Sequence, residues 1–484
     1  MVSQILSLYT KIYKNEMNSN LDIFLKVGYN AKKKRMGKSK MDLVRKLAVQ
    51  ALVQIEKEKS YTNLVLDNTI KKERNHLSRK DISFLSELIY GVTTWKLTLD
   101  AIIQKYAKLS LKKMSDYVLA ILRLGAYQIV FLDKVPKSAA VNESVILSKK
   151  YANRSSGFVN AILRKVEKQD YIQFFEEEET VKRFCLCYSI PEWMVMCLIE
   201  QIGEKRAKEV CESLNKRPNT TIRTNPLKVS PEELIEKFKK QERRCTLSNL
   251  EDFFYLKQAK GIADLDLYQK GYFTVQDEGA GLIGKAVCPK PGETILDVCS
   301  APGGKTTHLA EQMNNKGKIV AWDVYESRLK LVEENAKRLG ITIIQTKLKD
   351  GSQFEEEEVE KYDRVLLDVP CLGLGVMKRK PDIKWQKQKE QIEQIQGIQK
   401  QLLNVCCQYV KKGGILLYST CSILQEENQI VIKEFLKTHP NYAICPINLS
   451  QLGWKEETIL DPIGQNLYPN EFHDGFYFCK LQKQ

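Results

Sequence analysis

The chain reads as a multidomain protein: an all-helical front, a small α+β connecting domain, and an α/β Rossmann-like domain on a mostly parallel, doubly wound sheet. Three observations predict this. From residue 41 to about 168, apolar residues recur at three- and four-residue spacing, as one buried helix face requires. From Gly271 onward, short apolar runs alternate with helical patterns, and repeated β-α units imply parallel strands. One of those runs, Ile295-Leu296-Asp297-Val298, leads into a glycine-rich turn, Ala301-Pro302-Gly303-Gly304. At 484 residues, about two to four domains are expected.

Residues 1–40 carry little periodic pattern and end near a basic run, Lys32-Lys33-Lys34-Arg35; they are expected to form a flexible extension, with Met41 as the functional start. Residues 41–168 form the helical domain. Val44, Leu47, Ala48, Ala51 and Ile55 share one face, and segments 120–131 and 139–149 continue the style across a break at Pro136. Residues 169–270 are mixed. An acidic run at 176–179 suits a solvated face, 192–214 a helix and 220–223 a strand, which together predict the connecting domain. Residues 271–484 offer strands at 293–299, 318–324, 341–347, 362–369, 413–420 and 475–482. A long helix with Ile392, Ile395, Ile398, Leu402, Val405 and Tyr409 on one stripe covers the sheet.

Lys+Arg 76 against Asp+Glu 60 gives a net charge of +16, which fits either a lysine-rich proteome or a polyanionic partner. The thirteen cysteines are odd in number and irregularly spaced, with no paired C-x-x-C knuckles. The first ten residues lack the charged start and apolar core of a signal peptide, so free thiols in a reducing cytoplasm are expected. No apolar run approaches the roughly eighteen residues of a membrane span. His308 and His473 have no ligand-spaced partners, and no metal is assigned.

In an open parallel sheet, ligands bind beyond the carboxyl ends of the strands. Three such ends carry chemistry here. The turn from Cys299 through Ser300, Ala301, Pro302, Gly303 and Gly304 to Lys305 is not a P-loop, because Cys299 stands where that motif needs glycine. The dinucleotide pattern G-x-G-x-x-G is also absent. A tight strand-turn-helix remains, whose glycines admit close backbone approach and whose helix start favours a carboxylate. Asp323 ends the next strand, where a carboxylate accepts ribose hydroxyls, and Asp350 follows the third, within reach of an adenine amino group. The set predicts S-adenosylmethionine (S-adenosyl-L-methionine) as cofactor.

Two further strand-like runs end in cysteines, Asp368-Val369-Pro370-Cys371 and Ser419-Thr420-Cys421-Ser422. A thiolate adding to C6 of cytosine turns C5 into a nucleophile, a carboxyl group such as Asp368 near N3 supports the adduct, and a second ionisable group near C5 helps undo it. Cys299, Cys406 and Cys407 read as small buried thiols. Lys378, Arg379 and Lys380 suit either phosphate contact or a solvated loop, and Trp385 a packing anchor.

These blocks resemble a known family. Asp297-Val298-Cys299-Ser300-Ala301-Pro302-Gly303-Gly304-Lys305-Thr306, the two cysteine blocks and Lys380-Pro381-Asp382-Ile383-Lys384-Trp385 are similar to the signatures of RNA cytosine-5 methyltransferases. Upstream, Glu87-Leu88-Ile89-Tyr90-Gly91-Val92, Ile121-Leu122-Arg123-Leu124-Gly125-Ala126-Tyr127-Gln128 and Gly157-Phe158-Val159-Asn160-Ala161-Ile162-Leu163-Arg164 are similar to the branch acting on small-subunit ribosomal RNA. In that branch a NusB-like, RNA-binding helical domain precedes the catalytic one. The resemblance runs from about residue 41 to the C-terminus. It implies Cys421 as the C6 nucleophile and Cys371 as the group assisting release, with Asp368 between cofactor and base. It implies cofactor contacts along Cys299–Lys305 and at Asp323, Asp350 and Asp368. DNA cytosine methyltransferases use the Pro-Cys thiol as nucleophile, so the reversed assignment stays open. Val369 and Leu372 replace the usual small residues around Pro-Cys, and residues 377–380 vary the usual basic stretch.

The expectation is therefore a cytoplasmic, monomeric enzyme that methylates C5 of one cytidine in 16S ribosomal RNA, free or in a partly assembled subunit. A transfer-RNA cytosine-5 methyltransferase and a non-catalytic RNA-binding or antitermination factor are the rival readings.

Overall fold

A computed structural model describes residues 42–257, 261–456 and 461–484. The expected extension at 1–40 lies outside the described residues.

Helices at Leu43–Glu58, Thr62–Lys72, Arg79–Thr94, Lys96–Tyr106, Asp116–Phe131, Lys137–Tyr151 and Ser156–Lys165 form the front. Asp116–Phe131 is its axis: Ile121, Leu122, Leu124, Ala126 and Tyr127 are buried, so this helix is apolar almost all round, as a surrounded helix must be. Gly91 lets the Arg79–Thr94 helix approach it, since a Cβ there would overlap the Tyr127 ring at 2.0 Å. Pro136 precedes the Lys137–Tyr151 helix as its N-cap residue.

The connecting region begins with helices Thr180–Tyr188 and Glu192–Ser213, the second broken at Gly203 (φ +76). A four-stranded antiparallel sheet follows, in the order β2-β3-β1-β4: β1 Thr221–Thr224, β2 Cys245–Leu247, β3 Phe253–Leu256 and β4 Phe273–Val275. Helix Pro231–Lys240 covers it with Leu234 and Phe238. Its edge strand β4 lies just past the boundary expected at 270. Of the four strands, only β1 was legible. All four run only three or four residues, too short for alternation to show.

The second sheet has eight strands: β5 Thr294–Val298, β6 Lys318–Asp323, β7 Ile344–Leu348, β8 Tyr362–Asp368, β9 Val410–Thr420, β10 Tyr442–Ile444, β11 Gln465–Leu467 and β12 Phe476–Lys483. The order is β10-β12-β9-β8-β5-β6-β7, with β11 on β12. Pairings among β5, β6, β7, β8 and β9 are parallel, while β12 runs antiparallel to β9. Alternate residues serve opposite faces. Leu296, Val298, Leu367 and Tyr418 meet Leu402, Cys406, Val431 and Phe435 on one side. Ile295, Leu366, Leu417 and Phe478 meet Ile283, Leu309, Met313 and Leu339 on the other. Helices on both faces make the fold doubly wound. The long helix is Gln391–Cys406, and it buries Ile392, Gln399, Leu402, Leu403 and Cys406. Ile398, expected on that stripe, is 45% exposed: the 3.6-residue pitch carries the buried face through 399 instead. Tyr409 lies beyond the helix, in a short turn.

Sequence order reverses at β5, whose neighbours are β6 and β8. A sheet of this kind opens a crevice beyond the strand ends at that switch point.

Candidate active site

Chain direction places Val298, Asp323, Asp368 and Thr420 at the same end of adjacent strands. After Val298 the backbone turns sharply. Cys299 has φ +64, and Gly303 has φ +95, which a side chain rarely tolerates. Ser300 N–H and Oγ both donate to Trp322 O, fixing the turn to β6. Helix Gly304–Gln312 starts at once, and the first N–H groups of any helix lack an intrahelical partner. A Cβ on Gly304 would meet only Gln276 Nε2, at 3.7 Å, so its backbone faces free space. The buried Asp323 carboxylate accepts the Ala301 N–H at 3.3 Å and the Tyr325 N–H at 3.1 Å, and pairs with Arg328 at 3.4 Å. An open backbone cradle beside a buried strand-end carboxylate fits an amino-acid nucleoside such as S-adenosylmethionine. Asp350 stands at the outer edge, exposed, its Oδ1 accepting from Ser352 N–H (2.9 Å) and Oγ (2.7 Å). Burial pushes the Cys299 thiol up to about 12, with Asp368, Asp323 and Asp297 adding to it. Arg223 of β1 grips the same helix through a buried two-point pair with Glu311 (2.7 and 2.8 Å).

Opposite this turn, β8 and β9 deliver the other groups. Lys305 Nζ donates to Asp368 Oδ2 at 2.7 Å and Ser419 Oγ donates to Oδ1 at 2.8 Å. The Sγ atoms of Cys371 and Cys421 are 3.1 Å apart in a hydrogen bond. Cys371, Cys421, Lys305 and Asp368 thus form one cluster, with Lys305 paired to the carboxylate rather than turned to the cofactor cradle. The shared S–H holds Cys421 below the usual thiol range, against burial and the Asp368 charge and with help from Lys305 and Lys380. The same hydrogen bond, then burial, the Cys421 charge and Glu427, push Cys371 well up. Lys305 is raised: burial alone would lower it, but Asp368 outweighs that.

The loops after the thiols are packed from below by helix Glu192–Ser213, where Met194, Leu198 and Val210 join Leu372, Leu374, Met377 and Leu424 in one apolar cluster. Gly375 N–H donates to Cys421 O (2.9 Å) and Gly475 N–H to Gly375 O (2.8 Å), a seam too tight for any Cβ. Lys378 and Arg379 fit neither expected role. Lys378 is buried on Asn470 O and His473 O, and Arg379 is ion-paired to Asp474 and Asp277 (2.9 Å to the latter). Lys380 is exposed, and its charge reaches Cys421. Trp385 Nε1–H donates to Thr93 O at 2.7 Å, against the helical front.

Sequence reasoning missed Ser419 and Glu427. Ser419 was legible as the residue two before a strand-end cysteine. Glu427 gave no signal, because Gln425-Glu426-Glu427-Asn428 reads as a solvated turn. Among the described residues, no group of three or more His, Cys, Asp or Glu side chains could hold a metal ion, and no helix is long and apolar enough to cross a membrane.

A doubly wound sheet with a glycine turn over its first strand and acids at its strand ends defines a methyltransferase of the S-adenosylmethionine-dependent class. The model described as 16S rRNA methyltransferase RsmB/F matches residues 285–482, the NusB family model 42–168, and an RsmF/B-like ferredoxin-like domain model 190–263. The chain belongs to the RsmB/F family of 16S rRNA methyltransferases. A probable ribosomal RNA small subunit methyltransferase B of Bacillus subtilis is 34% identical over 91% of this chain and 99% of its own. One from Synechocystis is also 34% identical, over 91% and 99%. The crystal structure of PH0851 superposes with TM-score 0.76 at 25% identity, covering 93% of this chain and 100% of that one.

Proposed function

We propose that this protein methylates C5 of a specific cytidine in 16S ribosomal RNA through a covalent adduct between Cys421 and C6. The observation that carries the proposal is the thiol pair, 3.1 Å apart, beside the Lys305–Asp368 ion pair at the sheet's switch point. Family membership supplies RNA methylation that depends on S-adenosylmethionine; the base, the atom and the adduct rest on these side chains.

Cys421 has the lowered thiol and the hydrogen-bonded neighbour of a nucleophile. Its sulfur bonds to C6, and the ring electrons move towards C5 and N3. N3, which carries no proton in cytosine, takes one up from water as that charge arrives, and the Asp368 carboxylate would accept a hydrogen bond from the new N3–H. A lysine ammonium has three N–H donors, so Lys305 would keep two for the O2 carbonyl. S-Adenosylmethionine, when bound, supplies an electrophilic methyl group. Gly303, Gly304, Asp323 and Asp350 would hold it, with Cys299 to Pro302 contributing backbone. Once C5 carries the methyl, its proton passes to water, the C5–H electron pair re-forms the C5–C6 double bond, the S–C6 bond breaks and N3 gives back its proton. Cys371, kept as a thiol, returns a proton to the departing Cys421 sulfur. The target base must leave its stack to reach this pocket. The helical front and the connecting sheet would supply shape and backbone contacts, for which the net charge of +16 is suited.

Bisulfite sequencing of total RNA from cells with and without the gene tests the reading. Loss of one 16S cytosine mark is the expected result. A lost transfer-RNA mark, or no lost mark, overturns it.

A further inference from the structure

Behind the two thiols sits a carboxylate that the chemistry above leaves unused. Glu427 is fully buried, 0% exposed. Its Oε2 accepts the Leu372 N–H at 2.8 Å and Gln399 Nε2–H at 3.1 Å, and its Oε1 accepts the Ser422 hydroxyl. Leu372 directly follows Cys371, and Ser422 directly follows Cys421. One side chain therefore clamps both thiol loops one residue past each sulfur. Gln399 completes the brace by donating to Pro370 O at 3.0 Å, the residue before Cys371.

Burial raises the Glu427 carboxyl above its usual range, and the donors around it oppose that shift. A backbone N–H can only donate. The Gln399 amide is fixed as a donor because its nitrogen also serves a carbonyl. The Ser422 hydroxyl donates to the carboxylate and accepts the Leu424 N–H at 3.4 Å. Glu427 thus receives three donors, which favour its charged form against the burial that disfavours it. Charges around the pair are unequal. Lys305 and Lys380 act on Cys421, whereas Glu427 acts on Cys371 and Asp368 on both.

We propose that Glu427 is a positioning residue for the thiol pair: it fixes the separation of the two loops and, through its negative charge, keeps their shared proton on Cys371. The consequence is a division of labour between two chemically identical groups. Cys421 is left as the sulfur able to attack, and Cys371 as the one carrying the proton that later releases the adduct. This rests on the assignment of Cys421 as nucleophile given above.

The test needs no RNA. Full-length protein is treated with limiting iodoacetamide near neutral pH, and singly alkylated protein is mapped by peptide mass spectrometry. Wild-type protein should react mainly at Cys421. Glu427→Gln keeps the shape and an acceptor for Leu372 but removes the charge. It should raise the Cys371 share by about threefold or more, the change that half a pK unit produces. Ser422→Thr keeps the hydroxyl donor and the charge while disturbing the packing around the clamp, so its share should stay near wild type. If Glu427→Gln leaves the share unchanged while wild type still reacts at Cys421, the proposal fails and the nucleophile assignment stands. A Ser422→Thr shift as large as that of Glu427→Gln overturns the charge effect in favour of packing. Wild-type reaction mainly at Cys371 removes both the proposal and the assignment it rests on.

Discussion

Cys421 and Cys371 have the same chemistry and nearly the same burial, so their different roles must come from their neighbours. Replacing Cys421 with Ala is expected to abolish turnover and leave cofactor affinity unchanged, because the cradle at Gly303–Gly304 lies on another strand end. Replacing Cys371 with Ala should let the adduct form but not resolve, giving a band of protein bound to RNA on a denaturing gel. The reverse pattern would exchange the roles. The pH dependence has a definite sign. Cys421 is held below the ordinary thiol range, so the rate of adduct formation should rise with pH through a midpoint below about 8.5. Lys305→Met removes a cation that favours the thiolate and leaves the Asp368 charge unpaired, and both effects raise Cys421. The midpoint should therefore move to higher pH in single-turnover measurements; an unmoved midpoint would exclude Lys305 from thiol activation. Cys371, Cys421 and Asp368 were legible because they stand at the ends of apolar runs. Glu427 was not, because its function comes from packing among β9, the Gln391–Cys406 helix and the loop after Pro370, and local sequence does not encode such a meeting.

Among elements, the turn between β5 and helix Gly304–Gln312 is held to a narrow conformation. Gly303 sits at φ +95, and an added Cβ would lie 3.0 Å from Val332 Cα, a backbone atom that cannot step aside. Gly303→Ala should cost about 1–2 kcal/mol from the left-handed conformation alone, and the turn should relax into the space proposed for the cofactor. Calorimetric titration with S-adenosylhomocysteine is expected to show at least about tenfold weaker binding, equivalent to about 1.4 kcal/mol. Wild-type affinity would mean that this backbone does not form the cradle. The long strands and helices of this half were readable because β5, β6, β8 and β9 are buried on both faces and appear as continuous apolar runs. The three-residue strands β2, β4, β10 and β11 were not, since their pairing is decided by neighbours distant in sequence. The same holds for Lys378 and Arg379: a basic run predicts solvent or phosphate, and only the fold brings Asp277 and Asp474 beneath it.

For the molecule as a whole, the question is how the helical front is joined to the thiol loops. Residues 382–386 form the joint. Asp382 Oδ1 accepts the Thr62 N–H at 3.3 Å, Trp385 binds Thr93 O, and Gln386 Nε2–H donates to Lys59 O at 2.9 Å. At its centre Lys384 is 1% exposed, with Nζ donating to Asn215 Oδ1 at 2.7 Å and, at 3.4 Å, to Thr94 O and Tyr188 O. These partners come from the front and the connecting region, and none carries a charge. Burial therefore pushes the Lys384 amine down, to about 7. Between that value and the roughly 10.4 of an unfolded lysine, the folded chain binds fewer protons than the unfolded one, so stability rises with pH across this window. As pH falls to about 7 the contribution is lost, a swing on the order of 3–5 kcal/mol. Lys384→Met fills similar volume without the charge. Urea unfolding at pH 7 and pH 9 should show wild type gaining stability at the higher pH, and the variant gaining less while starting higher at pH 7. An equal gain in both proteins would mean that Lys384 stays protonated in the joint and that the three regions are held by the neutral contacts around it.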